Sequence, residues 1–320
     1  MSLTTTVTKT APPAPVYRLQ IVWRNVVLMS LLHVGAVYGF YLIFTSAKLA
    51  TTITAIALYV MSGLGITAGC HRLWSHKSYR ARLPLRVFLA AMQTMAVQNS
   101  IFEWSRDHRV HHKYVETDAD PHNASRGFFF SHVGWLLCRK HPEVLSKGSR
   151  IRMDDLLEDP VVAFQKKHYK SLAILFGFVV PTLIPMIFFD ETFVNAYFVC
   201  GLWRYCWSLN MTWLVNSAAH MWGNRPYDVR IQSVENWIVS LGANGEGWHN
   251  YHHTFPYDYK ASEVPYTLNI STMFIDVMKF LGQAYDCRSV PAETVKARML
   301  RTGAGSTGHH HPVQDDEKEY

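Results

Sequence analysis

The chain has 320 residues, of which 49% are hydrophobic and 17% charged, and its formal net charge is +7. This length is enough for one large domain or two small ones. The positive charge does not indicate nucleic-acid binding, because the sequence has neither a basic stripe nor a nucleic-acid motif. Basic residues beside long apolar segments instead fit the cytosolic face of a membrane and its anionic lipids.

The N-terminal residues and the cysteines indicate the cellular environment of the chain. Residues 1–20 are rich in Thr and Pro, which predicts a disordered N-terminal segment. The five cysteines form no Cys-x-x-Cys pair and no disulfide spacing. We therefore expect all of them to be reduced, in a cytosolic or membrane-buried setting.

Four apolar segments are long enough to cross a bilayer. Short loops join them in two pairs, which predicts two antiparallel transmembrane hairpins. Pro181 and Pro185 lie inside the third segment and predict a kink. Arg204 lies inside the fourth, where a charge should face the bundle interior or an interface. The predicted spans are residues 26–44, 52–69, 172–189 and 193–214.

Four spans place both termini on one side of the membrane, together with residues 70–171 and 215–290. The two loops on the far side hold only Lys48, Asp190 and Glu191 as charged residues. The positive-inside rule then makes the near side cytosolic. We predict an all-α membrane protein of four transmembrane helices under a cytosolic helical cap. Residues 291–320 are predicted to form a polar, disordered tail, and the histidines at 309–311 in it are uninformative.

Histidine clusters lie just beyond the predicted spans. In the second and third clusters the spacing is i, i+3, i+4, which puts three imidazoles on one helix face. An isolated histidine is usually an ordinary residue, and this reading applies to His33, His122, His132, His141 and His168. Eight clustered histidines predict a metal site, because imidazole is the commonest metal ligand in proteins. The clusters are His71-Arg-Leu-Trp-Ser-His76, His108-Arg-Val-His111-His112 and His249-Asn-Tyr-His252-His253, with Asn216-Ser-Ala-Ala-His220 of the same character.

The clusters limit the kind of metal site. The sequence has no Cys-x-x-Cys for a zinc ribbon, no His-Glu-x-x-His for a zinc protease, and no second Glu-x-x-His beside Glu246 and His249 to complete the pair of a carboxylate-bridged di-iron bundle. Eight or nine imidazoles exceed the coordination number of one ion, so we expect two ions. Ligand type leaves Fe, Zn, Cu and Ni open. Asp107, Glu103 and Asp118 are candidates for orienting the ligands.

The position of this site favours oxygen chemistry on a lipid. Iron with open positions activates oxygen, and activated oxygen breaks unactivated C–H bonds, which acid–base groups do not. A two-metal site at the cytosolic mouth of a membrane bundle therefore predicts oxidation of an acyl chain or a similar hydrocarbon.

At these residues the sequence resembles the membrane-bound acyl-CoA desaturases of the stearoyl-CoA desaturase type, the fatty acid desaturases type 1. The resemblance covers about residues 20–290, so residues 21–290 are predicted to be the desaturase domain. Further motifs support the resemblance, in addition to the three histidine clusters and Asn216 to His220. They are Gly65-Ile-Thr-Ala-Gly69, Asp118-Ala-Asp-Pro-His-Asn123, Phe128 to Leu137 (FFFSHVGWLL) and Asn244-Gly-Glu-Gly247.

The resemblance implies a multi-pass enzyme of the endoplasmic reticulum membrane, with both termini in the cytosol. It implies insertion of a cis double bond into a saturated fatty acyl-CoA, at Δ9 of stearoyl- or palmitoyl-CoA. The implied cofactors are two iron ions (Fe2+), the oxidant is O2, and electrons arrive from cytochrome b5 and its NADH-dependent reductase. The implied iron ligands are His71, His76, His108, His111, His112, His220, His249, His252 and His253, with Asn216 binding through water.

The resemblance also implies substrate contacts. Cations suit the phosphates of CoA, and polar side chains suit its pantetheine and adenine groups. Trp104 and Trp213 match tunnel walls near the bend of the acyl chain. Tyr59 and Gly63 match the far end of the tunnel, where small Gly63 leaves room for a longer chain unless a neighbour fills the space. The implied CoA contacts are Asn25, Asn99, Arg106, Asp107, Arg139 and Lys140.

Three alternatives remain open at this point. A membrane di-iron hydroxylase or sterol oxidase uses similar histidine boxes and differs in its product. A desaturase of different regioselectivity, such as Δ11, would share every motif. A metal-transport membrane protein is disfavoured, because the ligands lie at one face and do not line a path across the spans.

Overall fold

A computed structural model describes residues 17–305, and this range is mainly helical. Two short strands, β1 (Arg80–Ala81) and β2 (Ala284–Tyr285), pair antiparallel. Single 3-10 turns occupy Ala124–Arg126 and Ala218–His220. The helices are α1 (Trp23–Thr45), α2 (Leu49–Ser75), α3 (Leu83–Ala96), α4 (Ile101–Tyr114), α5 (Phe130–Gly134 continued by Trp135–Leu137), α6 (Pro142–Gly148), α7 (Asp154–Leu157), α8 (Pro160–Phe189), α9 (Phe193–Ala196, Tyr197–Trp203 and Arg204–Asn216 in one run), α10 (Trp237–Gly242), α11 (His249–Thr254), α12 (Ile270–Phe280) and α13 (Ala292–Thr302).

Within residues 17–305, three helices are long and apolar enough to cross a membrane, namely α1, α2 and α8. Their large apolar side chains face outward: Val34, Val37 and Phe44 on α1 are 68%, 70% and 73% exposed. Contiguous exposed apolar surface of this kind requires a nonaqueous neighbour. The chain is therefore a multi-pass membrane protein.

Two of these helices are longer than the sequence predicted. α2 runs on to Ser75 instead of ending at residue 69, and its last part, Gly65–Ser75, is a wholly buried π-helix. α8 begins at Pro160 instead of residue 172, because Asp159 caps it by accepting from the Val161 backbone N–H. Both extensions carry the helices beyond the predicted spans.

The fourth predicted segment forms helix α9, which packs along α1. Polar residues, including Ser208 and Asn210, interrupt its apolar residues. Arg204 is fully buried, as predicted, and donates to the carbonyls of Cys200 at 2.7 Å and Gly177 at 2.8 Å. The guanidinium thereby ties α9 to α8.

The π-helical end of α2 is enclosed by other helices. A Cβ at Gly65 would lie 2.1 Å from the Gln93 backbone nitrogen, so only glycine allows α3 to pack this closely. A buried apolar cluster that includes Leu89, Ile101 and Ile275 joins α3, α4 and α12 around this segment. The packing fixes where α2 and α4 present their histidines.

The prediction that the chain is disordered from residue 291 onward is wrong for residues 292–302, which form α13. Val295 packs in an apolar cluster with Tyr227 and Tyr251, and Arg298 lies 2.6 Å from the Asp228 carboxylate. A few buried contacts suffice to order a helix that looks polar in sequence. The described range leaves out residues 1–16 and 306–320. Most of the other residues predicted to be disordered, and the histidines at 309–311, lie in these two segments.

Candidate metal centre

The clustered histidines converge as two separate groups. In each group, the ring nitrogens lie within 4.8 Å of one another. α4 and α11 contribute to both groups, and α2 contributes to the first. Group A contains His71, His76, His108, His112 and His252, and group B contains His111, His220, His249 and His253.

Neighbouring rings approach through their Nε2 atoms. In group A, His71 and His252 are 2.9 Å apart and His76 and His108 are 2.8 Å apart. In group B, His249 lies 3.0 Å from both His220 and His253. Two nitrogens that bind one ion at about 2.1 Å are separated by about 3 Å when their bonds are near right angles. Both groups therefore fit a transition-metal ion.

Electrostatics favour the same reading. Burial, followed by the charge of neighbouring imidazoles, holds the pKa of most of these histidines well below the ordinary value. A neutral imidazole is the form that binds metal. The residues affected in this way are His76, His108, His112, His249, His252 and His253.

Carboxylates approach the opposite ring nitrogen of some ligands. His71 Nδ1 lies 2.9 Å from Glu246 Oε2, and His111 Nδ1 lies 3.0 Å from both oxygens of Asp120. His220 Nδ1 lies 3.3 Å from Glu116 Oε1. A carboxylate that accepts the Nδ1 proton leaves the Nε2 lone pair for the metal, as Asp120 does for His111 and Glu116 for His220.

Two of these carboxylates are kept ionised by their partners. Burial raises the pKa of Asp120, but His111 and His122 outweigh it and hold the pKa below its usual range. Burial likewise raises the pKa of Glu246, and the Arg72 guanidinium, which donates to it at 2.9 Å, reverses the shift. Each of these two buried carboxylates thus has a partner that stabilises its charge, the histidines for Asp120 and the arginine for Glu246.

The carboxylates named from sequence are not those that orient the ligands. Glu103 caps α4, where it accepts from the Ser100 hydroxyl at 2.9 Å. Asp107 pairs with Arg106, and Asp118 is solvent-exposed. The true partners lie inside motifs already recognised, because Asp120 belongs to Asp118–Asn123 and Glu246 to Asn244–Gly247. Their spacing alone does not show which acid turns inward.

Two chambers, an inner and an outer one, lie beside the histidine groups. The inner chamber is lined by His71 and His108 of group A, by His111 and His249 of group B, and by Tyr59 of α2. The outer chamber is lined by residues that include Asn25 and Asp107. The two chambers share lining residues, so they are adjacent, and the two together are called the tunnel. The shared residues are Trp104, His108, Thr212 and Asn216.

Most of the residues implied as substrate contacts line this tunnel. Tyr59 and Gly63 line its inner chamber, and Trp104 lines both chambers and stacks on His108. Asn216 ends α9 and lines both chambers, four residues before His220. Four of the implied substrate contacts line the outer chamber and not the inner one, namely Asn25, Asn99, Asp107 and Trp213.

Charged residues meet at the outer mouth. Asp107 accepts from Arg106 at 2.9 Å and also contacts the Lys140 ammonium group. Arg139 is exposed, and its backbone N–H donates to Gln20 O at 2.8 Å. Asp107, which lines the outer chamber, therefore contacts two cations that lie beside the chamber, and Arg24 is a cation that lines the chamber itself.

Sequence reasoning missed one wall of the inner chamber, formed by Met211, Gly242, Ala243 and Asn244. Tyr59 reaches this wall, since its hydroxyl donates to Gly242 O. No motif marks these residues as cavity-lining. They become neighbours of α2 only when α9 and α10 pack beside it.

Comparison with known proteins agrees with this geometry. A family model described as fatty acid desaturase matches residues 46–267. The acyl-CoA Delta-9 desaturase and the acyl-CoA Delta12-desaturase of Acheta domesticus are each 60% identical, over 92% and 91% of this chain and 82% of each relative. The stearoyl-CoA desaturase of Bos taurus is 59% identical, over 91% of this chain and 81% of its own length. The chain belongs to the fatty acid desaturase family and is an oxidoreductase.

Proposed function

We propose that this protein inserts a cis double bond into a saturated fatty acyl-CoA, at Δ9 of stearoyl- or palmitoyl-CoA. The observation that carries the proposal is the tunnel formed by the two adjacent chambers. Charged Arg24 and Asp107 line its outer chamber, its inner chamber is mainly apolar, and His108 of group A lines both. This shape suits a long hydrocarbon with a polyanionic head. The names of the relatives support the same activity.

The proposed cofactors are two iron ions (Fe2+), one in each histidine group. The donor sets consist of neutral imidazoles, with carboxylates in supporting positions, and such sets suit iron as well as zinc or copper. With O2, and electrons from cytochrome b5 and its NADH-dependent reductase, iron supplies the oxidising chemistry that removes two hydrogens from an alkyl chain. The proposal includes Asn216, which ends α9 four residues before His220, as a residue that would bind the group B ion through water.

The residues of the chain itself act by positioning. Arg106 and Lys140 hold the phosphates of CoA at the mouth, where Asn25 and Asn99 offer amide groups. Trp104 and Trp213 form walls at the bend of the acyl chain, which fixes the carbons presented to the metals and favours a cis geometry. The apolar inner chamber excludes water from the reacting segment.

The proposed topology has four spans, α1, α2, α8 and α9, with both termini and the cap in the cytosol of the endoplasmic reticulum membrane. The far-side turns support it, because Glu191 accepts from Thr51 at 2.7 Å and from the Lys48 backbone N–H at 2.8 Å. These bonds close the two hairpins against each other at the end opposite the histidines. The proposed desaturase domain comprises residues 21–290, to which α13 adds a further packed element.

The test is expression in yeast that lacks its own desaturase, with double bonds located by mass spectrometry. The unchanged chain and the matched control His168→Ala, an exposed histidine of α8, should make Δ9 monounsaturated acids. His111→Ala should make none, because it removes a group B ligand. Hydroxylated lipids would favour the hydroxylase alternative, and bonds at Δ11 or Δ12 would revise the position. Unchanged lipids from inserted, metal-loaded protein with added cytochrome b5 would refute the proposal.

A further inference from the structure

The space beside Gly63 in the inner chamber is filled by the side chain of Asn244. A Cβ built at Gly63 would lie 2.3 Å from Asn244 Nδ2 and 3.3 Å from its Cγ. Both residues line the same cavity. The missing side chain of Gly63 therefore does not leave free volume for a longer acyl chain, because the amide occupies that volume.

Asn244 is fixed in this position from several directions. It is 2% exposed, and its amide donates to Val60 O of α2 at 3.1 Å. Its own carbonyl accepts from Ser271 through the backbone N–H at 3.1 Å and the hydroxyl at 2.8 Å. The side chain is therefore a fixed part of the tunnel wall.

The backbone of Asn244 also constrains which residues fit there. Its φ is 52°, in the left-handed region that asparagine and glycine tolerate better than other residues. A β-branched residue would be strained at this position. Asn244→Gly consequently removes the side chain without backbone strain and is a clean probe of the wall.

The location of Gly63 and Asn244 indicates which part of the acyl chain they would contact. Gly63 precedes the ligand His71 by eight residues, or about 12 Å along α2. Tyr59 lies one turn further from the histidine groups and contacts Gly242 on the opposite wall of the chamber. The pair thus faces the part of the chain beyond the reacting carbons, toward its methyl end.

We propose that Asn244 is a specificity-determining residue that sets the acyl-chain length accepted by this enzyme, through its occupation of the space beside Gly63. The inference rests on the proposed function, because it assumes that an acyl chain enters the inner chamber. Gly63 and Asn244 act as one unit. The asparagine side chain fits this wall because the residue opposite it, Gly63, has no side chain.

The test is a double-mutant cycle on purified, metal-loaded full-length protein, with Gly63→Ala, Asn244→Gly and the double variant. Binding of palmitoyl-, stearoyl- and arachidoyl-CoA is measured without turnover, and product lengths are measured in yeast. Asn244→Gly should shift the affinity ratio of arachidoyl- to palmitoyl-CoA upward by roughly tenfold, since each newly buried methylene adds several-fold in affinity. Asn224→Gly, an exposed asparagine outside the cavity, should leave the ratio unchanged.

The cycle also has a readout that needs no ligand. Gly63→Ala alone should lower the melting temperature, because its methyl group meets the amide, and this loss should disappear in the Asn244→Gly background. An unchanged chain-length ratio in folded Asn244→Gly that still binds acyl-CoA would overturn the inference alone. Failure of the unchanged protein to bind any acyl-CoA would overturn the proposed function and this inference with it.

Discussion

His111 and His112 are adjacent in α4, yet their rings belong to different histidine groups. His112 lies 3.0 Å from His252 of group A, and His111 lies 3.3 Å from His253 of group B. The same division separates adjacent His252 and His253 in α11. Two helices therefore build both groups together, and neither group forms without both helices in register.

The support of group B by Asp120 gives the first prediction. Asp120→Asn should weaken metal binding at group B by about 10- to 100-fold, because the His111 ring loses an ionised partner that fixes its tautomer. Metal content measured after mild chelation should fall toward half of that of the unchanged protein, with group A still loaded. Asp118→Asn, an exposed carboxylate two residues away, is the matched control. Equal metal retention by both variants would contradict this role.

The acid stability of metal-free protein is the second prediction. Six histidines have a pKa lowered by burial and by neighbouring imidazoles, so the native state does not take up the protons that the unfolded state binds below about pH 6.5. The free energy of unfolding should therefore fall as the pH falls below that value, by about 1.4 kcal/mol per group and pH unit.

Chemical denaturation of chelator-treated protein in detergent at several pH values measures this dependence. A variant with His112→Gln and His253→Gln should show a shallower slope, because two titrating groups are removed. A slope that is flat below about pH 6.5, or unchanged in the variant, would count against the assignment.

Arg204 provides a prediction about the membrane bundle. Arg204→Met should lower the free energy of unfolding by about 2 kcal/mol or more, since the buried carbonyls of Gly177 and Cys200 lose their donor. Arg204→Lys should be intermediate, because an ammonium group does not reproduce the planar fork. Thermal melts in detergent measure the order, with exposed Lys170→Met as the control. Arg204→Met melting like the unchanged protein would show that these bonds are dispensable.

Lys140 tests the polar mouth. Lys140→Ala should raise KM for stearoyl-CoA by about 30-fold with little change in kcat, because a charge-assisted contact to phosphate is worth about 2 kcal/mol and lies far from the reacting carbons. Arg152→Ala, an 89% exposed cation outside the tunnel, is the matched control. A loss confined to kcat would place Lys140 in a different role.

Much of this architecture is predictable from sequence. Long apolar segments and the positive-inside rule predict the spans, and the i, i+3, i+4 spacing predicts helices that present histidines. The division of His111 from His112 is not predictable in this way, because it depends on where α11 packs against α4. The same limit explains why Asp120 and Glu246 were missed, as burial and partner distance decide which acid orients a ligand.

The inner wall shows the limit most clearly. Sequence comparison with the family draws attention to Gly63 on α2, because the matching positions end the tunnel. Its neighbour Asn244 is far away in the chain and sits in a loop before α11. Only the fold brings the two residues together, and only the measured approach shows that one fills the space of the other. The order of α13 is likewise decided by a few contacts, such as Arg298 with Asp228.

The central claim is that this chain desaturates an acyl-CoA at a histidine-bound two-metal centre. The most direct measurement is a reconstituted reaction of purified, iron-loaded protein with stearoyl-CoA, O2, NADH, cytochrome b5 and its reductase, analysed by mass spectrometry. We predict oleoyl-CoA as the product, formed only when both histidine groups are loaded and lost in His111→Ala. Unreacted stearoyl-CoA, from protein that carries both metals and accepts electrons, would contradict the account.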